Sequence, residues 1–153
     1  MSRFELKVPP VLLFFLVAFL MWVTTIFLPG IEVAPGPRFV LLVIFVSAGG
    51  IIAGAGVRAF NKSATTVNPM TPEMSSSLVT SGIYQHTRNP MYVGLLFALI
   101  GWGFFLSSPY SLLLCIGFIL YMNRFQIRRE EAVLDTIFGP DYRTYKTRVR
   151  RWL

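Results

Sequence analysis

Thr80 to Gly94 reads TSGIYQHTRNPMYVG and Arg128 to Val149 reads RREEAVLDTIFGPDYRTYKTRV, and from Met91 to Asn123, between the two, there is no charge at all. That apolar run is long enough to enter a bilayer and return. Two polar, turn-rich segments therefore stand at the two feet of one hairpin. Residues far apart in sequence meet at one membrane surface, and that surface is the expected site.

The remaining composition agrees. Of 153 residues, 54% are hydrophobic and only 14% charged, where a water-soluble domain has about a quarter charged. The length suits a single domain over 1–153. The net charge of +7 suits anionic lipid and a cytoplasmic face better than nucleic acid. The one cysteine, Cys115, lies in an apolar run and reads as a small embedded hydrophobe.

Working outward, Val8 to Leu28 is charge-free and spans hydrocarbon. A polar leader, Met1 to Lys7, precedes it, but the run is too long for a signal-peptide core and no small-residue cleavage site closes it. It reads as a retained span, with Pro9 and Pro10 in its first turn and Trp22 inside it. Pro29-Gly30 and Pro35-Gly36-Pro37 read as an external loop with Glu32 and Arg38. Phe39 to Val57 is a second span, in which Gly50 and Gly54 have the spacing of close helix contacts. Packing within the chain is favoured for that pair over an oligomer. Arg58 to Pro90 is a long polar segment, which in a compact domain signals function.

The expected fold is all-α: a membrane bundle of four transmembrane helices, at about 8–28, 39–57, 91–107 and 109–125, plus amphipathic C-terminal helices. Gly139-Pro140 should break the last helical stretch, and Asp141 should cap a final helix. That helix carries Tyr142, Tyr145, Val149 and Trp152 and is basic, as for a segment lying on anionic headgroups. With both termini inside, 13 of 14 basic residues are cytoplasmic and only Arg38 is outside. The expected location is a bacterial inner membrane with the site facing the cytoplasm.

At the feet of the hairpin the chain offers Tyr84, His86, Arg88, Asn89 and Tyr92 on one side, and Arg124, Gln126, Arg128, Arg129, Glu130 and Glu131 on the other. Charges beside hydrocarbon are costly unless paired or functional. There is no Cys/His cluster for a metal, no glycine-rich phosphate loop and no Ser/His/Asp set. Hydrolase and metalloenzyme classes are thereby disfavoured. Carboxylate, arginine and aromatic groups under apolar helices suit a zwitterionic soluble cosubstrate meeting a lipid-borne acceptor. Each residue also has a plainer reading: Glu130 and Glu131 paired with Arg124, Arg128 or Arg129, Tyr84 and Tyr92 as interfacial anchors, His86 solvated, and Trp102 as packing.

Gly82 to Gly94 follows G-x-Y-x-x-x-R-N-P-x-Y-x-G, and Glu130 to Tyr145 follows E-E-x-x-L-x-x-x-F-G-x-x-Y-x-x-Y. With the hairpin between them, this resembles the isoprenylcysteine carboxyl methyltransferase family, part of a wider group that includes the phospholipid N-methyltransferases. The resemblance covers Leu78 to Val149. It implies S-adenosylmethionine held between the loop before the hairpin and the helix after it, elements 78–94 and 124–149. Tyr84, Asn89, Pro90, Met91 and Tyr92 would line it, with backbone at Leu78 and Val79, and Glu130 would take its α-amino group. Asn89 stands where the family usually has histidine. Gln126 stands at the substrate arginine, with Arg124 and Arg128 nearby. Arg88, Asn89 and Arg124 are the implied catalytic candidates; Trp102, Arg124, Gln126 and Arg128 the implied substrate contacts. Ala98 and Gly101 are expected to leave room for an alkyl chain beside Trp102.

The implied activity is methyl transfer to a lipid-like or isoprenylated acceptor, with carboxyl O-methylation favoured. A phospholipid amine, a small hydrophobic thiol or acid, and a non-catalytic membrane scaffold stay open. Implied partners are membrane lipid and the acceptor itself; no nucleic acid and no metal are expected.

Overall fold

The computed structural model describes residues 8–62 and 77–153. The leader Met1 to Lys7, and residues 63–76 of the polar segment, lie outside the described residues. All regular structure in the described residues is helical.

Helix α1 spans Pro10–Phe27 and begins, as expected, with proline in its first turn. Pro10, Leu13, Val17 and Met21 recur at helical spacing and are buried. Val11, Leu12, Phe15, Leu16 and Phe19 face outward. An apolar outer face of that extent is a lipid-facing surface. Helix α2, Pro35–Lys62, is longer than the expected span at both ends. Pro35-Gly36-Pro37 was expected in the loop, yet it forms the first turn. The missing N–H groups cost nothing there, and a fixed φ near −65° suits the helix.

Helices α3, Pro90–Leu106, and α4, Pro109–Tyr121, make the hairpin. Ser107 is left-handed at φ 51°, and the Ser108 hydroxyl accepts from the Ser111 amide to start α4. At this end the Ile31 amide donates to the Ser107 carbonyl at 2.8 Å. Helix α4 does not stop at the second foot. It runs through a π-helical turn, Met122–Ile127, into α5, Arg128–Arg148. Gly139, at φ 49° and ψ −118°, breaks α5 as expected, a conformation open to glycine alone. Pro140 restarts the helix, so Asp141 lies in the first turn and not at its cap.

Among the described residues, three helices are long and apolar enough to cross a membrane: α1, α2 and the continuous one from Pro109; α3, with 17 residues, is a shorter apolar helix. The protein is an all-α membrane bundle.

The glycines pack differently from the expectation. Gly50 and Gly54 are exposed, with open space where a Cβ would sit. The helix contact is made instead by Gly49, whose Cβ would lie 2.5 Å from the Gly94 carbonyl oxygen, and by Gly56 against Pro90. Gly101 is also part of this seam, since a Cβ there would meet Phe45 at 2.8 Å. Its missing side chain is taken up by the α2–α3 contact and opens no space of its own for an alkyl chain. Dispersion between closely approaching backbones holds this pair together in lipid. On the other side, Ser111 Oγ lies 2.8 Å from Thr24 Oγ1 and donates to the Met21 carbonyl, tying α1 to α4.

Candidate active site

The first foot is set by local chemistry. Ser81 to Gln85 turns through a short 3₁₀ segment, Gly82–Gln85, and Pro90 can only start α3. Tyr84 is buried, edge-on to Phe60 of α2 at 5.3 Å, and its carbonyl accepts from the Tyr145 hydroxyl at 2.7 Å. Val79, Tyr84, Tyr142, Tyr145 and Val149 form a buried cluster, with Leu78 packed on it. The aromatic face of α5 thus covers the loop. Burial pushes the Tyr84 and Tyr142 hydroxyls up, Tyr142 to about 12.

The second foot is set by the π-helical turn. The extra residue shifts the phase of the helix and turns Met122, Gln126 and Ile127 inward. Gln126, only 3% exposed, donates to Glu130 Oε1 at 2.7 Å; the Tyr92 hydroxyl donates to the same oxygen at 2.5 Å. Glu130 lies beyond Asn123, outside the charge-free part of the helix. Desolvation by burial pushes its carboxyl up from 4.5 to about 7; the bonds from Tyr92 and Gln126 oppose the rise, and Glu131 adds to it.

Glu131 points into a different set. Both its oxygens are taken by Arg151, at 3.0 Å from Nε and 2.6 Å from Nη2. Arg88 Nη1 lies 2.9 Å from Glu131 Oε1, and both side chains are only 12% exposed. That approach is an ion pair by distance and not a directed hydrogen bond: Arg88 Nε and Nη1 are buried and bond to no acceptor among the described residues. The carboxylates do not pair with Arg124 or Arg128, which are exposed.

The segment after α5 closes the site from the side. The Arg88 amide donates to the Arg150 carbonyl at 3.0 Å, and the Asn89 side-chain amide donates to the Arg151 carbonyl at 2.8 Å. Thr87 Oγ1 also donates to that carbonyl, and Trp152 Nε1 donates to Asn123 Oδ1 at 3.1 Å. Asn89 therefore fixes backbone.

Of the expected site residues, the structure brings together Leu78, Val79, Tyr84, Arg88, Asn89, Pro90, Met91, Tyr92, Gln126 and Glu130 around the two feet. Trp102 stands twelve residues up α3, ~18 Å along its axis. Its indole donates to the Ala18 carbonyl at 3.0 Å, and its ring lies 5.5 Å from Phe105. With Trp22, Pro35 and Arg38 it lines a cavity of about 390 Å³ at the Ser107 end. Trp22 lies within α1, as expected, and faces this cavity. His86 is exposed. Arg151, Thr87 and Asn123 were not anticipated. In sequence Arg151 is one of a run of basic residues, with nothing to tell it from a headgroup contact.

The family described as phospholipid methyltransferase matches residues 37–141. An uncharacterized protein of Haemophilus influenzae is 49% identical over 63 residues, 41% of this chain and all of that protein. The protein-S-isoprenylcysteine O-methyltransferase of Xenopus laevis is 40% identical over 78 residues, 49% of this chain and 26% of that protein. Protein-S-isoprenylcysteine O-methyltransferase A of Arabidopsis thaliana is 32% identical over 105 residues, 67% and 52% respectively. The chain thus spans 26% of the length of one of these methyltransferases and 52% of the other. No solved structure matches. The matched region takes in the hairpin, its first foot and most of α5, so the chain belongs to the phospholipid methyltransferase family, alongside the protein-S-isoprenylcysteine O-methyltransferases.

Proposed function

We propose that the chain is one methyltransferase domain that transfers a methyl group from S-adenosylmethionine to a hydrophobic acceptor reached through the membrane. One observation carries this reading. The hairpin's feet hold a buried carboxyl, Glu130, and the buried Arg88 guanidinium, whose Nε makes no hydrogen bond among the described residues and whose Nη1 meets Glu131 only as an ion pair. These complement the ammonium and carboxylate of an amino-acid ligand. Tyr84, Pro90, Met91 and Tyr92 supply the adjoining apolar and aromatic lining.

When bound, S-adenosylmethionine supplies an electrophilic methyl group on a sulfonium. The chain's part is to orient and to exclude water. Glu130, held by Tyr92 and Gln126, takes the ammonium; Arg88 takes the carboxylate; the buried cluster of Tyr84, Tyr142 and Tyr145 keeps water from one side. Alignment of two reactants accounts for ~7–11 kcal/mol of barrier in well-oriented systems, and an ionised carboxyl or thiol acceptor needs no further base. Arg124 and Arg128, exposed beside the second foot, are the proposed contacts for an acidic acceptor, while Gln126 faces inward to Glu130.

An isoprenylcysteine-like carboxylate is the favoured acceptor, supported by the similarity to protein-S-isoprenylcysteine O-methyltransferases. A phospholipid amine is the second reading. The family's description favours it. The proposed setting is a bacterial inner membrane with the site facing the cytoplasm. It is supported by the basic residues of the described chain, all of which but Arg38 belong to segments at the site's end. Titrating S-adenosylhomocysteine into the detergent-purified protein tests the reading. Saturable one-site binding is expected, and no heat at millimolar ligand contradicts it.

A further inference from the structure

We propose that Arg151 is a positioning residue: by occupying both oxygens of Glu131 it keeps the Arg88 guanidinium open as a receptor for the carboxylate of the methyl donor. The proposal rests on the reading above and adds a residue that neither motif contains.

The argument is one of competition. A carboxylate and a guanidinium prefer a two-bond fork, the geometry of best overlap. Glu131 is adjacent to Arg88, and alone it would take that fork and engage the Arg88 donors. It does not, because Arg151 already makes the fork through Nε and Nη2. Arg88 Nη1 is left with an approach of 2.9 Å from the side, and Nε and Nη1 stay without a directed bond. Two cations on one carboxylate leave this group of three with one positive charge in excess. A buried excess charge is costly unless an anion completes it. The Glu131, Arg88 and Arg151 charges all act on the Tyr142 hydroxyl, which places this excess beside the aromatic wall of the site.

The backbone makes the arrangement specific. Arg88 and Asn89 bond to the carbonyls of Arg150 and Arg151, so the two arginines are fixed relative to each other by main chain and not only through Glu131. Arg151 Nη1 also donates to Asn123 Oδ1 at 3.4 Å, tying the fork to the π-helical turn that aims Gln126 at Glu130.

The test is Arg151→Gln, which removes the fork and leaves the accepting carbonyl in place. Calorimetry in detergent compares S-adenosylhomocysteine, which has the carboxylate, with 5′-methylthioadenosine, which lacks the amino-acid end. The expected result is about ten-fold or greater loss for the first, the range of a charge-assisted hydrogen bond, and no change for the second. Arg151→Lys should fall between, because an ammonium neutralises Glu131 without making the fork. Glu131→Gln combined with Arg151→Gln should bind S-adenosylhomocysteine more tightly than Arg151→Gln alone, since the competitor for Arg88 is gone. If Arg151→Gln does not fold, the lysine variant carries the same comparison of ligands. Equal loss for both ligands, wild-type affinity in the variant, or a double variant no tighter than the single one overturns the proposal. Absence of S-adenosylhomocysteine binding by the wild-type protein contradicts the reading it rests on instead.

Discussion

Replacing Glu130 by glutamine should separate two effects of pH that act in opposite directions. In the folded protein the Glu130 carboxyl is pushed up from 4.5 to about 7, chiefly by desolvation. The folded state therefore holds its proton to higher pH than the unfolded chain does. The stability this group contributes is full below about pH 4.5 and is lost as pH rises through about 7. The loss is about 3 kcal/mol at most. Ligand binding runs the other way, because an ammonium pairs with the ionised form. Wild-type affinity for S-adenosylhomocysteine should rise about ten-fold from about pH 6 to about pH 8 as the carboxyl loses its proton. Glu130→Gln keeps one acceptor for Tyr92 and removes the charge. It should flatten both profiles and weaken binding at about pH 8 by ~1.5–3 kcal/mol. Calorimetry and thermal melts in detergent across this range measure both. A wild-type affinity that does not change with pH, or a variant that binds as tightly at high pH, would refute the assignment of Glu130 to the ammonium.

Gly94→Ala places a methyl group 2.5 Å from the Gly49 carbonyl oxygen and should lower stability by ~1–3 kcal/mol or more, whereas Gly50→Ala should change it by less than about 1 kcal/mol; melts of the two variants decide. Trp102→Phe removes one hydrogen bond to Ala18 and should cost ~0.5–1.5 kcal/mol of stability while leaving S-adenosylhomocysteine affinity unchanged, as calorimetry on the same samples will show. With Cys115 replaced, a cysteine at Ala34 should react with an impermeant maleimide in intact cells and one at Gln85 should be protected; the reverse pattern inverts the proposed topology.

What could be read from the sequence follows the range of the forces involved. The hairpin was legible because its signals are local: Pro90 opens α3, Ser108-Pro109 opens α4, and no charge intervenes. The Gly139 break was legible for the same reason. Pro35-Gly36-Pro37 misled because the same residues that end a helix also start one, and only the partner surface decides. The glycine seam was found on the right helix but on the wrong face. Small residues surround α2 there, so spacing alone does not set the phase that puts Gly49 and Gly56, and not Gly50 and Gly54, against α3. The site was legible only as far as the motif reaches. The bonds from Tyr92 and Gln126 to Glu130 need the π-helical turn, which no residue pattern announces. The Arg151 fork joins residues 20 apart across the bend at Gly139, and in sequence it is hidden in a run of basic residues.

The central claim is methyl transfer at the membrane, and one measurement addresses it most directly. Purified protein is incubated with methyl-labelled S-adenosylmethionine and a membrane-lipid extract supplemented with a farnesylated cysteine derivative, and the organic phase is separated and counted. The account predicts label in a hydrophobic species, released by mild base if the acceptor is a carboxyl, and about background label with Arg88→Gln. Label confined to the aqueous phase, or equal incorporation by wild type and the Arg88 variant, would contradict it.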